Sequence, residues 1–225
     1  MINVRYSKTI FISLLLVSLM TNISYSQSTV LKSVTAEPNI AVGPPQLPDY
    51  FLAQFEDCSY KIKPNGVVTK YFRNKPDSIV FKLDVYKGFS ITDAEVCQFK
   101  NFLIISFTEY DSESAGSTIE KFNLADLKKG WTFSGLGFNL SALTLHNDYV
   151  YLSSFGSIGK VNLYSGEIAF QFRDLYDRET DAFNSFSGIQ FKNDTVVFLS
   201  QNWKTNRINK IIINDNTNKL ITIDK

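Results

Sequence analysis

The chain has 225 residues, 44% hydrophobic and 20% charged, with 23 Lys and Arg against 22 Asp and Glu. A balance that even excludes the basic stripe of a nucleic-acid-binding protein and the polybasic block of an anionic membrane surface. One histidine and two cysteines are too few for a zinc site, which needs three or four convergent ligands.

Residues 1–26 read as a targeting segment. Arg5 and Lys8 form a positive start, "TIFISLLLVSLM" an apolar stretch, and "SYS" before Gln27 a small-x-small cleavage pattern. The apolar stretch is shorter than the ~20 residues a spanning helix needs. The expectation is therefore a cleaved signal peptide, with an uncleaved anchor as the alternative. The mature protein would be secreted or periplasmic and have no integral membrane segment. Cleavage leaves 21 Lys and Arg against 22 Asp and Glu in 199 residues, enough to bury roughly 70% of the unfolded surface in a core.

Residues 27–48 carry Pro38, Pro44, Pro45 and Pro48 in a polar setting, which predicts an extended linker. "STVLKSV" within it could supply one closing strand. Cys58 and Cys97 follow; they form either one disulfide, as an oxidising compartment allows, or two small buried side chains.

From Asp49 to Lys225 short apolar strands alternate with turn residues, and no helical period appears. Asn65-Gly66 marks a hairpin between "SYKIK" and "VVTKYF", and Ser165-Gly166 marks another. The runs "KNFLIISF", "NDYVYLSSF" and "NDTVVFLSQ" place Phe102, Tyr149 and Thr195 at spacings of 47 and 46. A step of 52 back from Phe102 reaches Tyr50, where "PDYFLAQFE" starts as the matching run. Each of the last three runs leads to a strand of the form Ile-x-Lys-apolar-x-apolar, at 119–124, 158–163 and 208–213. A last strand closes each unit ("KKGWTF", "SGEIAFQF", "NTNKLITI"), and another precedes the next run ("AEVCQF", "SALTLH", "SGIQF"). Self-similarity at this period predicts an all-β, β-propeller-like fold of about four four-stranded antiparallel blade units, with a β-sandwich as the alternative.

At "YSGEIAF" the chain resembles quinoprotein-like β-propeller repeats through Ser165, Gly166, Glu167 and Phe170, with Phe where that family usually has Trp. The chain is also similar to exported bladed propellers of bacterial envelopes. Trp131 directly follows Gly130, which breaks the docking register of the second unit, and the last unit lacks the Gly. Four units is the small end of the propeller range, so a small ring, an open arc or self-association to complete a larger ring are all open.

No catalytic residue is assigned. His146 stands alone at a strand–turn boundary without a nucleophile motif, and is expected to be structural. No cofactor or metal is implied by the residues. The loops "EYDSES", "FRDLYDRETDAFNSF" and "SQNWKTNR" break the regular spacing, and binding residues gather on loops of rigid scaffolds. Tyr110, Asp111, Arg173, Tyr176, Arg178, Trp203 and Lys204 are the candidate binding residues, since Tyr, Trp and Arg favour interface anchoring. The expectation is a non-catalytic exported scaffold that binds a protein partner or a polysaccharide. The alternative is a carbohydrate-active hydrolase or lyase that uses the loop carboxylates Asp111, Asp177 or Glu179, since paired carboxylates can cleave glycosidic bonds.

Overall fold

The computed structural model describes residues 47–111, 114–136, 140–177, 182–183, 185–201 and 208–224. The predicted signal peptide and all but the last two residues of the Pro-rich segment lie outside them.

Four sheets follow one another along the chain. Blade 1 holds β1 (Phe51–Gln54), β2 (Cys58–Ile62), β3 (Val67–Phe72) and β4 (Ser78–Lys82). Blade 2 holds β5 (Ser90–Phe99), β6 (Phe102–Tyr110), β7 (Ala115–Asn123) and β8 (Lys129–Leu136). Blade 3 holds β9 (Leu140–His146), β10 (Tyr149–Ser154), β11 (Ser157–Asn162) and β12 (Ile168–Phe172). A short ribbon, β13 (Tyr176–Asp177) with β14 (Ala182–Phe183), leads to blade 4: β15 (Ser185–Lys192), β16 (Thr195–Gln201), β17 (Ile208–Asn214) and β18 (Lys219–Asp224). Within each blade the strands lie side by side in chain order. This is a β-propeller-like fold of four four-stranded antiparallel blades.

Two-residue turns join the first and second strands of blades 2–4. Lys100, Asn147 and Asn193 open these turns at φ 53°, 54° and 50°. Asparagine tolerates that left-handed backbone, which suits the strand twist of such hairpins. Asn65-Gly66 does turn β2 into β3, with Gly66 at φ 82°.

Counting from these turns puts all blades in one register and corrects two expectations. The "PDYFLAQFE" run is the first strand of blade 1, not its second. Phe51 and Ala53 face the core from β1, so its alternation matches that of a second strand. The other correction concerns the repeated lysine. Lys70, Lys121 and Lys160 pair across from Tyr60, Ile104 and Tyr151, but the equivalent position in blade 4, opposite Val197, is Ile212. Lys210 lies two residues earlier and is exposed.

Three apolar cores lie between successive blades. Phe51, Tyr60, Ile62 and Val68 of blade 1 meet Val96, Leu103, Ile105 and Phe107 of blade 2. Ile104, Ile119 and Phe133 of blade 2 meet Val150, Leu152, Val161 and Leu163 of blade 3. Tyr151, Ile158 and Phe170 of blade 3 meet Val196, Phe198, Ile211 and Ile213 of blade 4. Both faces of blades 2 and 3 are thereby buried, which accounts for the many aromatics. Among the described residues no such core joins blade 4 to blade 1.

Buried lysines tie the blades together. Lys121 Nζ donates to the Tyr164 carbonyl of blade 3 at 2.9 Å and lies 4.4 Å from the Phe102 ring. Burial holds its pKa below the usual lysine value. Lys160 Nζ reaches blade 4, donating to the Asp215 carbonyl at 2.7 Å, Asp215 Oδ1 at 3.0 Å and Asn218 Oδ1 at 3.1 Å.

Trp131 also crosses between blades. A Cβ placed on Gly166 would lie 2.6 Å from Trp131 Cγ, and the indole N–H donates to the Leu163 carbonyl at 3.0 Å. The docking contact that its register had seemed to rule out is made with the turn of the next blade.

Candidate functional site

The first-to-second and third-to-fourth strand turns lie on one rim of the blades. The second-to-third strand loops and the links between blades lie on the other. Of the seven candidate binding residues, Tyr110, Asp111, Arg173 and Tyr176 belong to connections or strand ends of this second rim.

Tyr110 ends β6 and is 44% exposed. Asp111 closes its own loop: its Oδ1 accepts from the Ser114 backbone N–H at 2.6 Å and the Ser114 hydroxyl at 3.2 Å. That carboxylate is used in holding the loop, as short Asx turns do. Arg173, exposed on the blade 3–blade 4 link, donates to Gln171 Oε1 at 3.1 Å, and Tyr176 pairs with Phe183 in the β13–β14 ribbon. Tyr110 and Asp111 thus belong to blade 2, and Arg173 and Tyr176 to a different link of the same rim. Arg178, Glu179, Trp203 and Lys204 lie outside the described residues, as does the Asp177 side chain.

Sequence reasoning missed Tyr86, which is 60% exposed on the link between blades 1 and 2. Its backbone N–H donates to Glu109 Oε2 at 2.8 Å, and Thr118 donates to Glu109 Oε1 at 3.2 Å. Two residues earlier, the Asp84 N–H donates to Glu120 Oε1 at 2.8 Å. Glu120 Oε2 lies 2.9 Å from Lys129 Nζ, which also meets Asp84 Oδ2 at 2.7 Å. Glu109 and Glu120 are buried, so two carboxylates of blade 2 fix the link that carries Tyr86. Burial pushes the Glu120 pKa up, opposed by Lys129 and the Asp84 N–H. The rim therefore presents Tyr86, whose backbone Glu109 holds, and Tyr110, the residue after Glu109, with the Phe89 ring 5.9 Å from that of Tyr86. A carboxylate inside the apolar run "FLIISFTEY" was the available signal. It read as part of a solvated acidic loop because burial is not visible in sequence.

On the first strand of blade 2, Asp93 and Glu95 border a narrow recess with Ser106 and Thr108. Burial raises the pKa of both, and for Glu95 the charge of Asp93 adds to the shift. His146 stacks on Phe191 at 4.0 Å with an interplanar angle of 19°, a packing role.

Cys58 and Cys97 are free thiols. Cys58 belongs to the first core, while Cys97 packs against the second, on the other face of β5. Burial raises both pKa values, that of Cys97 to about 11. Among the described residues no group of three or more His, Cys, Asp and Glu could hold a metal ion. No helix of the described residues is long and apolar enough to cross a membrane.

The fold class is that of β-propeller proteins. No family model and no curated protein matches the chain. Among solved structures it is similar to a quinohemoprotein alcohol dehydrogenase, ADHIIG, from Pseudomonas putida HK5, at 9% identity and TM-score 0.53 over 80% of this chain and 35% of that one. It is similar to the dihydro-heme d1 dehydrogenase NirN at 10% identity and TM-score 0.51, over 88% of this chain and 43% of that one. It is also similar to a europium-containing methanol dehydrogenase at 12% identity and TM-score 0.50, over 76% of this chain and 40% of that one. The chain spans less than half the length of each of these proteins, and the likeness extends to the fold alone.

Proposed function

We propose that this chain is an exported, non-catalytic scaffold that binds a protein partner through the rim carrying Tyr86 and Tyr110. The observation that carries the reading is the anchoring of that rim. Two exposed tyrosines adjoin a buried carboxylate that holds the backbone of one and directly precedes the other. Rigid aromatic side chains lose little entropy on binding, and preorganisation lowers the cost of association. Arg173 and Tyr176 on the same rim would extend the contact.

The carbohydrate-active alternative is less well supported, because Asp111 is engaged in closing its own loop.

The test uses the secreted chain as bait in native envelope extract, crosslinked, with a Tyr86→Ala/Tyr110→Ala double variant beside it. A protein captured by the wild type and lost with the variant supports the reading. Equal capture by both baits, or none by either, refutes it.

A further inference from the structure

The three junctions between blades obey one rule of register. On the face each blade turns to its successor, a third-strand aliphatic pairs with a fourth-strand phenylalanine: Val68 with Phe81, Ile119 with Phe133, Ile158 with Phe172. On the face turned to the predecessor, apolar residues of the second and third strands pair: Leu103 with Phe122, Val150 with Val161, Val196 with Ile213. Both kinds of pair meet in each of the three cores.

The two faces outside these junctions break the rule at the same positions. In blade 4 the third- and fourth-strand pair is Lys210 with Asp224. In blade 1 the second- and third-strand pair is Ser59 with Tyr71, followed by Lys61 with Thr69. Lys61 stands where Ile105, Leu152 and Phe198 stand in the cores of the other blades, and its Nζ lies 3.9 Å over the Tyr50 ring. Val197, Leu199, Ile208 and Ile212 share the face of Lys210, so Lys210 sits among apolar neighbours. Stacking this face on that of blade 1 would bury Lys210 against Lys61, and ions taken out of water cost more than such a contact returns. Repeat arrays need terminal units with polar outer faces, and a lysine on an exposed sheet is a known guard against stray association.

We infer that blades 1 and 4 are capping blades: charged and polar residues interrupt the apolar pattern of their outer faces, and the arc stays open. It neither closes blade 4 onto blade 1 nor stacks head to tail with a second copy. A partner is thereby left to the loop rim or the first-strand side of the arc. This goes beyond the binding role proposed above and does not depend on it.

The test has two arms on the full secreted chain. Lys61→Cys and Lys210→Cys variants should each be alkylated rapidly in the native state, faster than Cys58 and Cys97 in the unmodified chain. Protection of either position overturns the inference. In the second arm, one variant carries Lys210→Ile/Asp224→Phe and another Ser59→Val/Lys61→Leu, each checked for native circular dichroism. Each should be a monomer alone by light scattering, and the equimolar mixture should show a doubled mass. Association of either variant alone, or none in the mixture, overturns the inference.

Discussion

Lys160 Nζ of blade 3 lies 3.0 Å from Asp215 Oδ1 of blade 4, and the same carboxylate oxygen accepts from the Tyr151 hydroxyl at 2.6 Å. The lysine side chain is 4% exposed, so its charge is almost wholly satisfied by the neighbouring blade. Removing one partner of a buried pair costs more than the pair contributes, because the other group is stranded. Lys160→Met should lower stability by about 3 kcal/mol in urea denaturation. Lys210→Met, the same residue type in the look-alike strand, should change it by no more than about 0.5 kcal/mol. Equal effects would contradict the register described above.

Gly166 offers a second check. It sits at φ 76° with the Trp131 ring against the position of a Cβ. Gly166→Ala should cost roughly 2–4 kcal/mol from backbone strain and overpacking together. Trp131 fluorescence should shift with it, whereas Gly88→Ala, where nothing lies within 4 Å of the added Cβ, should leave the fluorescence unchanged.

The anchoring carboxylate can be tested by comparing two changes. Glu120→Gln keeps an acceptor for the Asp84 N–H, whereas Glu120→Ala leaves that donor without one and Lys129 with Asp84 alone. The alanine variant should be less stable than the glutamine variant by roughly 1–2 kcal/mol. Hydrogen exchange of the Asp84 amide should quicken only in the alanine variant.

Asp93 and Glu95 set a pH dependence. Both bind protons more tightly in the folded than in the unfolded chain, since burial raises their pKa values. Their contribution to stability is therefore most favourable below the ordinary carboxylate range and declines as pH rises through the raised values. Glu95→Gln should raise the thermal midpoint at neutral pH, and the gain should vanish on acidification. A gain that persists in acid would contradict the assignment.

The thiols give a direct readout. Ellman's reagent should find no reactive thiol in the native protein, and on unfolding without reductant both Cys58 and Cys97 should react. Silence after unfolding would show a disulfide.

Much of the architecture was legible in the chain. Alternation in "DYVYLSSF" and "IGKVNL", turn residues at Asn65-Gly66 and a period near 46 are local properties, and a pleated strand makes them visible. Blade 1 was misread by one strand because an inner strand with one buried face alternates as a second strand does. The candidate site was legible only in its loops. Tyr110 stood out, but Tyr86 did not, since its anchor, Glu109, lies 23 residues away in sequence.

The sequence by itself determined the strands, their turns and the repeat, because side-chain alternation and left-handed turn residues act within a few positions. Only the tertiary structure decided which of the repeated lysines are buried latches and which one is exposed. Lys160 and Lys210 read alike in sequence. What separates them is a two-residue difference in pairing, and pairing across strands is not a local property of the chain.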